Sequence, residues 1–411
     1  MRPWLPSLLA VAACAAPPDG SDDSDPPVDS DPPVDSDPPV DSDPPVDSDD
    51  AAPEDVVVAS GREALDPELL ASPALVVWQD PRTSVAWLAE ILPTGQWQPD
   101  DGAGLALGDA VPMQGTPTAP ATYNGPEWGE AGTAVYFTQA DDDGFNAIAR
   151  YARGGGGAMR LTGGDGVHRS GAIPQLWPAG ARTAVIYFRG ELADVDLAWR
   201  WTDERVDRAL PGVGSLDPTP RWIPGEDAVA VLVADDDGWA QVGRYDLATD
   251  TVTRLTTDPG HKADPFLTRH PSGGWVLTAA VADTLPERLE DLVPSRIGVY
   301  REGADGFVQE RTLGAEDLVG GGPYAHTSIE PFVADGRVWL SFVATPSTSR
   351  ADPTQVFVAS TDGAHLVQVT RGTMTRADPE VVVIGGRALL YYTERRGGRS
   401  NRLRVVRDFL P

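Results

Sequence analysis

The chain has 411 residues, 41% of them hydrophobic and 23% charged, with a formal net charge of −30 and one cysteine. One cysteine excludes an intrachain disulfide, so burial alone must hold the fold. Residues 19–50 carry 13 Asp and no base; without them and Arg2 the rest still has 49 acids against 31 bases, which excludes the basic face a nucleic-acid partner requires.

In chain order, the single charge of Arg2 precedes an apolar run from Trp4 to Ala13. About ten residues is the length of a signal-peptide core and too short to span a bilayer. No later stretch reaches 18 uninterrupted apolar residues, so no transmembrane helix is predicted. The run ends in Val11-Ala12-Ala13-Cys14, which resembles the lipobox of bacterial lipoproteins. The resemblance implies cleavage after residue 13 and a lipid on Cys14, whose thiol is the nucleophile such an acylation needs. Ala15, where many inner-membrane lipoproteins have Asp, implies an outer-membrane lipoprotein of a Gram-negative bacterium. The alternative is an ordinary secretory signal with an incidental cysteine.

Ser-Asp-Pro-Pro-Val-Asp then repeats four times from Ser24 to Asp47. Period six, one sign of charge and no aromatic residue exclude a packed core, so residues 14–53 are predicted to form a disordered acidic, Pro-rich linker. Paired prolines favour polyproline II at about 3.1 Å per residue, a reach of roughly 110 Å from Ala15 to Asp50. Aspartates spaced along such a chain would hold calcium only loosely.

From residue 54 the pattern is short apolar runs cut by Gly, Asp and Pro. The one predicted helix lies around 283–293, inside an insertion placed at 283–314. A proline followed six to nine residues later by an apolar strand recurs at Pro67, Pro126, Pro174, Pro218, Pro265, Pro331 and Pro379, at intervals of 59, 48, 44, 47, 66 and 48. Two units share "DDDGFNAIARY" (141–151) and "DDDGWAQVGRY" (235–245), with Asp-Gly at a predicted hairpin bend. Four short strands per 40–50 residues is the signature of a propeller blade. "RLTTDPGHKADPFLTRHPSGG", "DPTPRWIPGEDAVAVLVADDDG" and "VQVTRGTMTRADPEVVVIGGRALLYYTERRGG" resemble the WD40-like repeats of the TolB type. The reading is all-β: a single β-propeller over 54–411 with seven blades, or six if the first unit is only a flank. The last unit has three strands before the chain ends, and "DVVVAS" (55–60) is expected to supply a fourth and close the ring.

Asp66, Asp217, Asp264 and Asp378 stand directly before their prolines, and Glu330 before Pro331. On innermost strands these acids would gather at one mouth of the channel. They could cap loop N–H groups, hold a cation such as Ca2+ through oxygen ligands, or serve as acid and nucleophile in a glycoside hydrolase-like enzyme, with Asp217, Asp264 and Glu330 as first suspects. Repetition favours the structural role, because catalysis needs one or two special acids rather than one per blade. The five histidines show no metal spacing and are expected in loops or at the surface. No G-x-S-x-G nucleophile elbow exists. The basic cluster at 394–407 reads as the exposed hairpin of the last blade, or as a contact for the acidic tail or an anionic polymer. The function expected is an envelope-anchored, monomeric binding scaffold for a protein or peptide, attached to the membrane through Cys14. The rival is a carbohydrate-active enzyme.

Overall fold

The computed structural model describes residues 65–80, 85–99, 105–106 and 125–411, except 155–156, 178–181, 192–193, 213–219, 286–291, 305, 348–351 and 397–398. Cys14, the repeat and the 55–60 segment lie outside the described residues. So does Asp217.

The strands form seven antiparallel meanders in chain order: 65–106, 127–160, 169–209, 221–254, 261–313, 325–368 and 375–407. We number them blades 1 to 7. Each runs strand by strand outward from its first strand, and first strands of adjoining blades lie against one another around the axis. Side chains alternate across each sheet, so every blade has two apolar faces. In blade 1, Leu75 and Val77 face blade 2, whereas Val76 and Trp78 face blade 7. Seven separate cores result, one between each pair of neighbours, and the last joins blade 7 to blade 1. The ring is therefore closed, with seven blades and not six.

At the closing seam the Trp78 ring packs at a tilt on Trp97 at 4.9 Å and Trp97 on Tyr391 at 5.5 Å. The Tyr391 hydroxyl donates to the Gly95 carbonyl at 2.7 Å. Blade 7 has three strands among the described residues, Thr375–Ile384, Arg387–Arg396 and Arg399–Arg407.

Two expectations shift. The insertion in blade 5 ends by 295, because Arg296–Gly303 and Gly306–Leu313 are its regular third and fourth strands. The expected helix around 283–293 falls largely on residues outside the description; the α-helix that is described is Glu316–Val319, in the link to blade 6.

The meander fixes two sides to the ring. On one, which we call the entry side, the chain passes from the fourth strand of one blade to the first of the next, and second strands turn into third. Both "DDDG" bends are there. Their first aspartate is turned inward and ties the bend: Asp141 accepts the N–H groups of Asp143 and Phe145 on one oxygen and of Gly164 on the other, at 2.9–3.0 Å. Asp235 repeats this with Asp237 and Trp239. The following aspartates of both bends are exposed, as expected of solvated bends.

His261 and His326 lie in strands rather than loops, and His168 ends a loop as expected but is buried. His168 and His261 accept the N–H of Asn146 and Ala240, the first residues of third strands in the preceding blades, at 3.1 and 3.2 Å. Each packs on the aromatic after its "DDDG", Phe145 at 4.9 Å and Trp239 at 4.8 Å. His326, buried, accepts the Ala315 N–H on Nε2 at 3.0 Å and donates from Nδ1 to the Ser295 carbonyl at 2.7 Å. These rings clasp one blade to the one before it.

The His326 clasp gives a pH dependence with a definite sign. Burial lowers the pKa of this ring, and Glu316 nearby offsets only part of that. A proton on Nε2 would also oppose the Ala315 N–H. Below about pH 6.5 the unfolded chain takes up the proton first, so stability falls as pH drops through that value. We expect urea unfolding to show stability decreasing from pH 7 to pH 5 by up to about 1.4 kcal/mol per unit for this group. His326→Gln should flatten that slope; an unchanged slope would assign the acid limb to other residues.

Candidate functional site

The register between first and second strands slips in five blades, at Leu65/Glu68, Ser170/Ile173, Ala263/Phe266, Thr327/Glu330 and Ala377/Glu380. Each slip is a bulge near the entry end of an innermost strand. In four of them the first residue is left-handed: Gly171 has φ 66°, Asp264 47°, Ser328 49° and Asp378 50°. Glycine reaches this region without cost, and short polar side chains tolerate it better than apolar ones. The Asp-Pro motif is therefore the sequence of a bulge. Asp66 holds the same register position in blade 1.

This frame moves Glu330. Ser328 is the counterpart of Asp264 in blade 6, and Glu330 lies two residues on, level with Phe266, Glu380 and Glu68. Pro331 and Pro174 both sit two places later in their bulges than Pro265 does, so aligning units on proline misplaces the acid.

Asp264 and Glu330 nevertheless meet the same side chain. Arg221, from the first strand of blade 4, reaches across to Asp264 at 2.9 Å and lies 3.8 Å from Glu330. Its guanidinium covers the Phe266 ring at 4.6 Å. Asp264 is buried, and its second oxygen accepts the Ile329 N–H of blade 6 at 3.2 Å. One carboxylate thus joins three successive blades: it takes a guanidinium from the fourth and an N–H from the sixth while holding the bulge of its own. Glu330 is half-buried, with a quarter of its side chain exposed. Val333, further along the same strand, is 42% exposed. Asp378 is half-buried in its own bulge.

Arg221 was not singled out from the sequence, although "LDPTPRW" places a charged residue in an otherwise apolar strand. Elsewhere buried charge also serves the fold. The sole lysine, Lys262, is fully buried and donates to the carbonyls of Asp258, Pro259 and Gly260 at 2.9–3.2 Å. Arg169 bridges Asp165 and Asp207, both at 2.7 Å. Among the described residues, no group of three or more His, Cys, Asp or Glu is placed to hold a metal ion. Among them too, no helix is long and apolar enough to cross a membrane.

These features define a seven-bladed β-propeller whose innermost strands carry an arginine, an aromatic ring and two carboxylates clustered across three adjoining blades. No family model and no curated protein matches the chain. Similar solved structures include TolB from Acinetobacter baumannii, at 13% identity over 83% of this chain and 81% of that one, TM-score 0.35. The β-propeller domain of Myceliophteria thermophila Cps50 (Swd1) has 11% identity over 86% and 100%, TM-score 0.49. The acylaminoacyl peptidase of Pyrococcus horikoshii has 8% identity over 84% and 51%, TM-score 0.46, so the chain spans about half of that peptidase. These likenesses concern fold and transfer no activity.

Proposed function

We propose that the protein is an exported lipoprotein, carried on a lipid at Cys14, whose propeller acts as a binding scaffold for a protein or peptide in the cell envelope, on the outer membrane. In this reading residues 1–13 are a signal, 14–53 a stalk and 54–411 the working domain. The observation that supports a scaffold over an enzyme is the engagement of Asp264. This acid is committed to holding three blades together, and its counterparts Asp66 and Asp378 occupy the same bulge in other blades, whereas a glycosidase would need one pair with distinct roles. The surface left for a partner is the channel wall at Arg221, Phe266 and Glu330.

Two measurements test this. Labelling cells with a palmitate analogue should mark the wild type and not Cys14→Ala; label on the variant would place the anchor elsewhere. Glu330→Gln, which keeps the shape and removes a part-exposed charge 3.8 Å from Arg221, should cost no more than about 1 kcal/mol of thermal stability. It should also reveal no lost glycan hydrolysis. Hydrolysis that is present and disappears in a stably folded Glu330→Gln would overturn the scaffold reading.

A further inference from the structure

We propose that His168, His261 and His326 form an acid-operated latch on the entry side, holding three seams between blades 2 and 6 while the rings are neutral and releasing them locally when the rings take a proton. The three stand three, three and two residues before the bulge residues Gly171, Asp264 and Ser328. Each therefore ties the entry end of an innermost strand to the blade before it. One ring nitrogen in each accepts a backbone N–H: that of Asn146 at 3.1 Å, of Ala240 at 3.2 Å and of Ala315 at 3.0 Å. An imidazolium has a hydrogen on both nitrogens and accepts on neither. Protonation thus sets donor against donor at every clasp and leaves an N–H without its acceptor.

The charged surroundings differ from ring to ring. Burial and the neighbouring Lys262 keep His261 toward the neutral form, and Asp235 in the facing bend offsets part of this. His168 adjoins Arg169, which is held by Asp165 and Asp207. It faces the bend of Asp141, whose carboxylate already accepts three N–H groups. The later aspartates of both bends are exposed. At His326 burial acts first, Glu316 and Asp317 favour the proton, and Arg296 opposes it. The Nε2 atom lies 3.7 Å from a Glu316 oxygen that is buried and accepts no hydrogen bond. The protonated ring therefore has a second partner: it releases Ala315 and donates to the next residue of the same link. The seam between blades 6 and 7 is built alike without an imidazole. Arg376, two residues before Asp378, donates its N–H to the Thr354 hydroxyl at 2.6 Å, where His326 donates its own to Ser295 at 3.0 Å. Because His261 leads into the bulge at Asp264, the latch sets how firmly the cluster of Arg221, Asp264 and Glu330 is held.

Amide hydrogen exchange, with each rate divided by the intrinsic rate at that pH, reads the latch directly. These amides are expected to exchange by local opening, below the energy of global unfolding. Between pH 7 and pH 5 the protection of Asn146, Ala240 and Ala315 should fall about tenfold, because the rings of the opened form titrate near 6.5. That of Arg376 should hold. In His168→Gln, His261→Gln and His326→Gln the dependence on pH should disappear at the altered seam and persist at the other two. Unchanged protection of the three amides in the wild type would overturn the proposal. So would a parallel loss at Arg376, which would make the acid effect global unfolding instead of local release. The wild-type comparison with Arg376 decides even where a Gln variant fails to fold.

Discussion

Trp78→Ala is expected to destabilise the protein by about 3–5 kcal/mol and to do so by opening the ring at one place. Trp78 has no exposed surface and packs on Trp97, which packs on Tyr391. Six of the seven cores join blades that also follow one another in the chain. The seventh joins the first blade to the last, and among the described residues it is made by side-chain packing and the Tyr391 hydroxyl bond to the Gly95 carbonyl. Loss of a buried aromatic there leaves a cavity at the one joint that, among the described residues, no chain connection spans. Trp199, nearly as buried in the core between blades 3 and 4, is the control. Trp199→Ala should lower stability by a comparable amount, whereas only Trp78→Ala should speed hydrogen exchange selectively in blades 1 and 7. Identical exchange patterns in the two variants would show that the seam is no more separable than any other interface.

The architecture was legible because a propeller writes itself along the chain. Each blade closes its hydrogen bonds locally, so proline-anchored units, "DDDG" bends and apolar runs recur at nearly fixed intervals. What was not legible is what joins one blade to the next. Arg221 finds Asp264 43 residues away and Glu330 beyond it, and no spacing rule connects side chains on separate sheets. Proline alignment failed in blade 6 because the bulge, not the proline, is the repeated element. Ser328 and Gly171 meet its left-handed requirement as well as Asp does, and neither needs a proline after it. The histidine clasps had a readable signal. A histidine follows the residue after the "DDDG" aromatic by 22 positions in one unit and 21 in another. Without knowing that third strands expose an N–H at the entry side, that interval has no evident meaning. Nor could the sequence separate an acid that holds the wall from one that presents itself to the channel, because Asp264 and Glu330 both precede a proline and differ only in register.

That difference makes Asp264 the position where charge and backbone can be separated. Asp264→Asn keeps a side chain that accepts the left-handed φ and an oxygen for the Ile329 N–H, and loses only the charge facing Arg221; a cost of about 1–2 kcal/mol is expected. Asp264→Ala also leaves the N–H and the guanidinium facing each other without the carboxylate, and adds a less tolerant residue at φ 47°. Removing one partner of a buried pair costs about 3–5 kcal/mol. Asp264→Gly relieves the backbone but not the charge, and should fall between the two. Arg221→Met separates the contributions further: combined with Asp264→Ala it removes both charges, so the double variant should be more stable than the sum of the singles predicts by about 1–3 kcal/mol. Strict additivity in urea unfolding would mean that the guanidinium and the carboxylate do not stabilise one another. The three-blade joint would then rest on the bulge alone, and Arg221 would stand as a residue held in the channel wall for a ligand and not for the fold.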